Sequence, residues 1–327
     1  MHARRISLWI VIAATLLQFF ANATASAQTR YFGYIPAPDG FSERVARELS
    51  KQMEPVLKSG PIQPIGINTF GSVPNVITAL HVGKLSFALL PTSTLEPMVP
   101  EIGVLGLPLI FRDVAQASAA ANGPVGARLK TLLASKLDVE VLGFLWRVGT
   151  FAARTGCISV PEDLKGLKIA DGASWYKTLL DVSGASGIVI ASPEVEPALK
   201  NGAIDGVLFV IEVVANPGVV ETAQCLTAVS KEQFLISPQV ILASRKDAAN
   251  QPALASLVAD MDRKIRSDIA EQTVTLERLY RSRDRRIAPF GEDQRAKWEE
   301  YRDRVYRDFD SRAPGGAELR KELQSPR

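Results

Sequence analysis

Histidine is almost missing from this 327-residue chain, which holds only His2 and His81. That scarcity excludes His-rich metal centres. His81 sits in an amphipathic stretch with Val76, Ile77, Leu80 and Leu85, where a surface or packing role accounts for it. Cysteine is equally scarce, with Cys157 and Cys225 alone. An excess of one charge is lacking too: 38 Lys+Arg face 35 Asp+Glu, a net charge of +3 with no basic cluster. A nucleic-acid-binding face needs such a cluster, so that partner class is excluded. No Walker loop, GxGxxG, HExxH, GxSxG or CxxC occurs. Glu162 and Asp163 follow Pro161, where acids complement the start of a helix rather than form an acid/base pair. The chain therefore reads as a non-enzyme without cofactor or metal.

What is present is the composition of a folded globule: 46% hydrophobic and 22% charged residues. Its length predicts two domains. Arg4 and Arg5 precede an apolar run from Ile6 to Phe20, and Ala25-Ser26-Ala27 supplies small residues where a signal peptidase cuts. Residues 1–27 are read as a cleaved secretory signal of Gram-negative type, since the apolar run is shorter than the roughly 20 residues a membrane span needs. Cleavage removes two arginines and leaves 300 residues of net charge +1. The mature chain is expected in the periplasm without direct membrane insertion. No cysteine lies near the cut to carry a lipid anchor. In that oxidising compartment Cys157 and Cys225 either pair or stay as two buried thiols.

Strands and helices alternate along the first half. A strand is predicted at Tyr31–Ile35, a helix over Phe41, Val45, Leu49, Met53 and Val56 with Asp39 or Ser42 as cap, and a strand near Ile62–Ile67. A helix over Pro74–Val82, an apolar run at Leu85–Leu90 and a strand and turn at Gly103–Phe111 follow. After a long apolar segment, Val139–Ala153, a second unit has the same grammar: strand Leu167–Ala170, helix Ser174–Val182, strand Gly187–Ile190, helix Pro193–Asn201 and strand Ile204–Val210. The order predicts an α/β protein with mainly parallel pairing. Leu254, Leu257, Val258, Met261, Ile265, Ile269, Leu276 and Leu279 keep helical spacing over about 30 residues, enough to brace two domains. A last amphipathic helix places Trp298, Tyr301, Val305 and Phe309 on one stripe.

The runs PEDLKGLKI (161–169), GAS (184–186) and SPEVEPALKNGAIDG (192–206) resemble the second domain of the periplasmic solute-binding subunit of TRAP transporters, the DctP-like family. NTFGS (68–72), VLGLPLIFRD (104–113) and GPVGARL (123–129) are similar to segments of its first domain. The resemblance covers about residues 30–310. It implies a two-lobed periplasmic binding-protein fold with hinge strands and a long C-terminal helix bracing both lobes. Lobe I is expected at 28–148 plus about 233–270, and lobe II at 149–232 plus the C-terminal helices at about 271–327. It implies capture of a small organic solute, usually an organic acid, by hinge closure and delivery to TRAP membrane permease subunits; departures from the family pattern at Ala170 and Phe209, described below, add the expectation of a carboxylate with an aromatic or cyclic body. A sensing protein that feeds a receptor kinase is the alternative. The family resemblance also implies that the segment around Cys225 returns beside the one holding Cys157, so a disulfide within the second lobe is expected.

The ligand anchors depart from the family's pattern. Where the Gly-Leu-Lys-Ile strand is followed by an Arg that clamps the ligand carboxylate, this chain has Ala170; a second anion-contacting Arg falls near Thr150, and a family Asn becomes Phe209. A buried carboxylate then needs other donors. Arg147 and Arg154 are the nearby candidates, Arg147 needing a kink or bulge to turn inward. Trp146, Phe151, Trp175, Tyr176 and Phe209 are candidates for an aromatic slot. Arg147, Thr150, Arg154, Ala170, Trp175 and Phe209 are accordingly the candidate ligand-binding set.

Overall fold

The computed structural model describes residues 29–58, 60–171 and 174–324, so the expected signal segment at 1–27 lies outside the described residues. The chain opens with β1 (Arg30–Tyr34), α1 (Phe41–Leu57), β2 (Ile62–Gly66), α2 (Val73–His81) and β3 (Phe87–Pro91). Each helix returns the chain to a parallel partner, so the strands lie in the order β2-β1-β3. Helix α1 buries Phe41, Val45, Ala46, Leu49 and Met53, a three-and-four spacing that faces the sheet. Asp39 Oδ1 accepts the Phe41 N–H at 2.8 Å and closes its first turn. Ser72 Oγ accepts the Asn75 N–H of α2. His81 Nε2 donates to the Leu137 carbonyl at 2.6 Å, the packing role read from its neighbours.

The strand and turn expected at Gly103–Phe111 are not formed. A 3₁₀ helix occupies Pro100–Gly106 instead. Pro100 and Pro108 have no N–H for a ladder, and Gly103 and Gly106 bring no side chain to a sheet face, so the apolar residues between them are buried without pairing. Helices α3 (Val114–Ala121) and α4 (Pro124–Leu137) then lead into the longest strand, β4 (Glu140–Ala153).

From Glu140 to Gly149, β4 runs antiparallel to β9 (Leu235–Ala243), which also pairs antiparallel with β3. From Gly149 onward its partner is β7 (Gly206–Val210). A Cβ on Gly149 would lie 2.2 Å from the Phe209 carbonyl oxygen, so the exchange of partners needs a residue without a side chain. The second unit contains β5 (Lys168–Asp171), α5 (Ser174–Val182), β6 (Ser186–Val189) and α6 (Ser192–Lys200), with β5 parallel to both β6 and β7. The resulting sheet has the order β2-β1-β3-β9-β4-β7-β5-β6. The expectation of mainly parallel pairing holds within each unit and fails between them, because β4 and β9 cross the middle antiparallel to their neighbours.

After α7 (Ile211–Val214) and α8 (Pro217–Thr222), β8 (Cys225–Thr227) joins the end of β4 and pairs with β10 (Arg286–Ala288). Cys157 and Cys225 are bonded to each other, as the resemblance implied. Helix α9 (Gln251–Arg281) runs for 31 residues, about 46 Å at 1.5 Å per residue, and buries Leu254, Val258, Met261, Ile265, Ile269 and Leu276. Near its start Val258 lies against Gly143 of β4. At its end the Tyr280 hydroxyl donates to the Val214 carbonyl at 3.0 Å, and Glu277 Oε1 accepts the N–H groups of Val229 and Ser230 at 3.0 and 2.9 Å. Helices α10 (Glu292–Lys297), α11 (Glu299–Arg312) and α12 (Gly316–Gln324) close the chain. In α11 the buried stripe is Val305, Tyr306 and Phe309, with Tyr301 only half-buried. Tyr306 donates to the Pro108 carbonyl and Phe309 packs on Trp175, so this helix touches both units.

Burial alone would raise the pKa of Glu277, but the two backbone donors and Arg281 outweigh it and hold the carboxyl below the ordinary glutamate range. A depressed pKa contributes stability that is present above the unfolded-state value and is lost as pH falls through the folded-state value. Glu277→Gln is therefore expected to cost about 1–2 kcal/mol at neutral pH, with the gap from wild type closing below about pH 4 in thermal melts. The disulfide closes a loop with a sequence separation of 68. Replacing both cysteines by serine is expected to lower stability in denaturant melts by up to about 4 kcal/mol, and intact-mass analysis without reductant is expected to show no free thiol.

Candidate functional site

Open α/β sheets place ligands outside the carboxyl ends of their strands, where the backbone turns into helices and polar groups converge. A cavity of about 290 Å³ lies at that place. Ile35 and Ala37 follow β1, Pro91 ends β3 and Thr92 to Thr94 and Glu96 follow it, Ile190 to Ser192 follow β6, and Leu208 to Val210 end β7. Ser42 enters from α1, Trp175 and Tyr176 from α5, Arg147 from β4, and Leu235 to Gln239 from β9. Residues of both units thus meet on one cavity, with apolar walls and a ring of hydroxyls from Ser42, Thr92, Ser93, Thr94, Ser192 and Ser237.

Arg147 is the guanidinium that lines it. The β4–β9 register is regular from Gly143 to Gly149, and the irregularity falls between Val141 and Gly143. The expectation is a kink or bulge that turns Arg147 inward; the ladder is regular at 147 itself, and the one irregularity lies upstream. Nη2 of Arg147 lies 3.0 Å from Asp39 Oδ2 and 3.2 Å from Glu212 Oε2, and the guanidinium carbon sits 4.7 Å from the Phe41 ring centroid. Asp39 precedes α1 in the first unit and Glu212 opens α7 after the second. Neither contact is aligned as a hydrogen bond, and Arg147 Nε and Nη2 are buried without an acceptor.

The other expected site residues divide cleanly. Trp175 and Phe209 line the cavity, and so does Tyr176. Trp175 is 8% exposed; its indole stands edge-on to Phe309 at 5.5 Å, and its Nε1 has no hydrogen-bond partner. The Tyr176 hydroxyl donates to the Phe234 carbonyl and accepts the Ile236 N–H, and burial raises its pKa, so it stays neutral. Thr150, Arg154 and Ala170 are not among the lining residues. Thr150 lies an odd number of positions from Arg147 on β4, is fully buried, and donates to the Thr227 carbonyl at 2.8 Å. Arg154 pairs with Asp205 at 3.2 Å. Ala170 is buried between β6 and β7. Trp146 and Phe151 are core residues, Trp146 against Phe111 and Phe151 against Phe234 and Trp298.

Sequence reasoning missed the strand-end hydroxyls, Glu96, and the two carboxylates on Arg147. Their signal was positional: each follows a strand or opens a helix. A Cβ on Gly103 would come within 2.8 Å of Trp175 Nε1 and 3.2 Å of Glu96 Cδ, so this glycine lets the indole edge and the carboxylate share one corner of the cavity. Among the described residues there is no group of three metal-ligating side chains, and no helix is long and apolar enough to cross a membrane.

Two α/β units joined by crossing strands, with a cavity between their strand ends, define a two-lobed solute-binding protein. The chain belongs to the bacterial extracellular solute-binding protein family 7, the DctP family, whose model matches residues 45–312. A solute-binding protein of Albidiferax ferrireducens is 23% identical over 320 residues, covering 94% of each chain. The 2,3-diketo-L-gulonate-binding periplasmic protein YiaO of Escherichia coli is 26% identical over 294 residues, 84% of this chain and 88% of that one. Among solved structures, a TRAP periplasmic solute-binding protein from Rhodoferax ferrireducens with bound malonate superposes with a TM-score of 0.77 at 20% identity, covering 90% of this chain and 96% of that one. One from Chromohalobacter salexigens with bound D-glucuronate has a TM-score of 0.75 at 20% identity, covering 91% and 99%.

Removing Arg147 would leave Asp39 and Glu212 facing each other with little solvent. Arg147→Met is expected to destabilise the protein by about 3–5 kcal/mol in denaturant melts, the range for breaking a buried ion pair. In Arg147→Met combined with Asp39→Asn and Glu212→Gln, most of that loss is expected to be recovered.

Proposed function

We propose that this chain is the periplasmic receptor of a TRAP-type secondary transporter, exported through the signal at 1–27 and released without membrane insertion. It captures a small organic carboxylate with a ring or apolar body, closes over it, delivers it to the membrane permease subunits, and performs no chemistry on it. The observation that carries this reading is the cavity itself. It is built from the strand ends of both units, with Arg147 contacted by a carboxylate from each. β4 and β9 serve as the hinge, so lobe I is 28–148 with about 233–270 and lobe II is 149–232 with the C-terminal helices at about 271–327. Ligand contacts on both lobes shift the population toward the closed state. Arg147 replaces the clamp missing at Ala170, and Trp175 and Phe209 supply the faces for the ring. The ligands of the relatives, malonate, D-glucuronate and 2,3-diketo-L-gulonate, support an organic acid as the class. The sensing alternative has no specific observation on its side.

A thermal-shift screen tests this. A matched ring-bodied carboxylate at a hundredfold excess over its Kd is expected to add about 2.7 kcal/mol of stability, and small-angle scattering is expected to show a smaller radius of gyration on binding. Strong stabilisation by dicarboxylates or sialic acid, with none by cyclic or aromatic acids, would overturn the ring-bodied assignment.

A further inference from the structure

The cavity offers one positive charge. Among its described lining residues Arg147 is the only cation, and Glu96, the only carboxylate, has a partner of its own. The other cations near the hinge are committed elsewhere. Arg44 and Lys264 line a second cavity, of about 160 Å³, between α1, α7 and α9. There Lys264 pairs with Glu48 at 2.7 Å and Arg44 donates to the Asp39 carbonyl at 2.6 Å. Arg312 lies 5.7 Å from the Trp175 ring and pairs with Asp308 at 2.7 Å. A ligand carboxylate that meets Arg147 is therefore matched, and a second carboxylate on the same ligand is not. In a cleft that sheds water as it closes, an unmatched charge is strongly disfavoured.

The remaining polar groups of the wall are neutral, and several of them present lone pairs. Thr94 Oγ1 donates its proton to the Pro91 carbonyl at 2.7 Å, so a ligand finds only an acceptor there. Gln239 Nε2 donates to Ser237 Oγ and to the Pro238 carbonyl at 3.3 and 3.2 Å, which leaves the carboxamide oxygen as what Gln239 offers. The Tyr176 hydroxyl is spent in both directions, on the Phe234 carbonyl and the Ile236 N–H. Such lone pairs repel a carboxylate and accept an O–H. Trp175 Nε1 supplies the opposite need, a donor without an acceptor on a side chain more than nine-tenths buried. A hydroxyl both donates and accepts, so it suits either kind of group; a carboxylate suits the donor alone. Ile190, Leu208, Phe209 and Val210 make the wall contributed by the second unit apolar.

We infer that the cavity selects its ligand by charge number: it takes a monocarboxylate whose remaining polar groups are neutral hydroxyls, and it rejects a dicarboxylate of the same body. The single carboxylate meets Arg147, the hydroxyl lies among Thr94, Gln239 and the indole N–H, and the hydrocarbon face rests on Leu208 and Phe209. The inference rests on the carboxylate-receptor reading above and adds to it the number of charges.

Calorimetric titration of the mature protein at neutral pH tests it with one body at a time carrying different charges. The flat-ring set is benzoate, para-hydroxybenzoate, terephthalate and monomethyl terephthalate. The saturated set is cyclohexanecarboxylate, its para-hydroxy derivative, the para-dicarboxylate and the monomethyl ester of that diacid. Malonate serves as a dianion without a ring. In at least one set the monoanions are expected to bind about tenfold or more tighter than the dianion. The monomethyl ester, which keeps the bulk of the diacid and removes one charge, is expected to recover most of that loss. The hydroxy acid is expected to bind at least as tightly as the hydroxyl-free acid. Dianions binding as tightly as the monoanions and esters of their sets, or malonate binding more tightly than every monoanion, would overturn the inference and leave the receptor reading intact. A hydroxyl that weakens binding tenfold or more in both sets would overturn the assignment of neutral hydroxyls. Failure of every probe to bind at about 1 mM would overturn the receptor reading and the inference together.

Discussion

The structure depends on the antiparallel pairing of β4 with β9. Parallel strands are joined by crossovers of a dozen or more residues; here the two parallel units meet instead through two strands that run antiparallel to their neighbours. β4 and β9 are those strands. β4 pairs with β9 up to Gly149 and with β7 after it, which puts the change of partner at one residue of one strand. The glycine there admits the Phe209 carbonyl where any side chain would clash. Both the shared sheet and the cavity at its strand ends follow from that crossing.

The parts of the fold legible from the sequence are those with a period. Helix α1, the stripe along α9 and the alternating strands and helices of both units announce themselves because burial on one face demands regular spacing. β9 does not, since Leu235–Ala243 is buried along nearly its whole length and includes Pro238, and such a strand has no alternation to read. The segment around Gly103 fails for the opposite reason: it is apolar enough for a strand, yet its prolines and glycines forbid the ladder. The disulfide was legible only through family resemblance, because two cysteines 68 residues apart say nothing of their geometry.

The site was legible in outline. Arg147, Trp175 and Phe209 line the cavity, whereas Thr150, Arg154 and Ala170 do not. Thr150 and Arg147 stand three positions apart on one strand, so alternation puts them on opposite faces. Which of the two faces meets the cavity is set by the packing of both units, and nothing in the local sequence marks it. Asp39 was read only as a helix cap and Glu212 not at all, because both are distant in sequence from Arg147 and meet it only in the fold.

Trp175 has two sides. One edge belongs to the cavity, while the ring rests against Phe309 and beneath Arg312 of α11, a helix whose charged residues face water. The indole is rigid, so a wall of the interior space and the footing of an outer helix are one and the same plate, and neither can be reshaped by substitution at position 175 without the other.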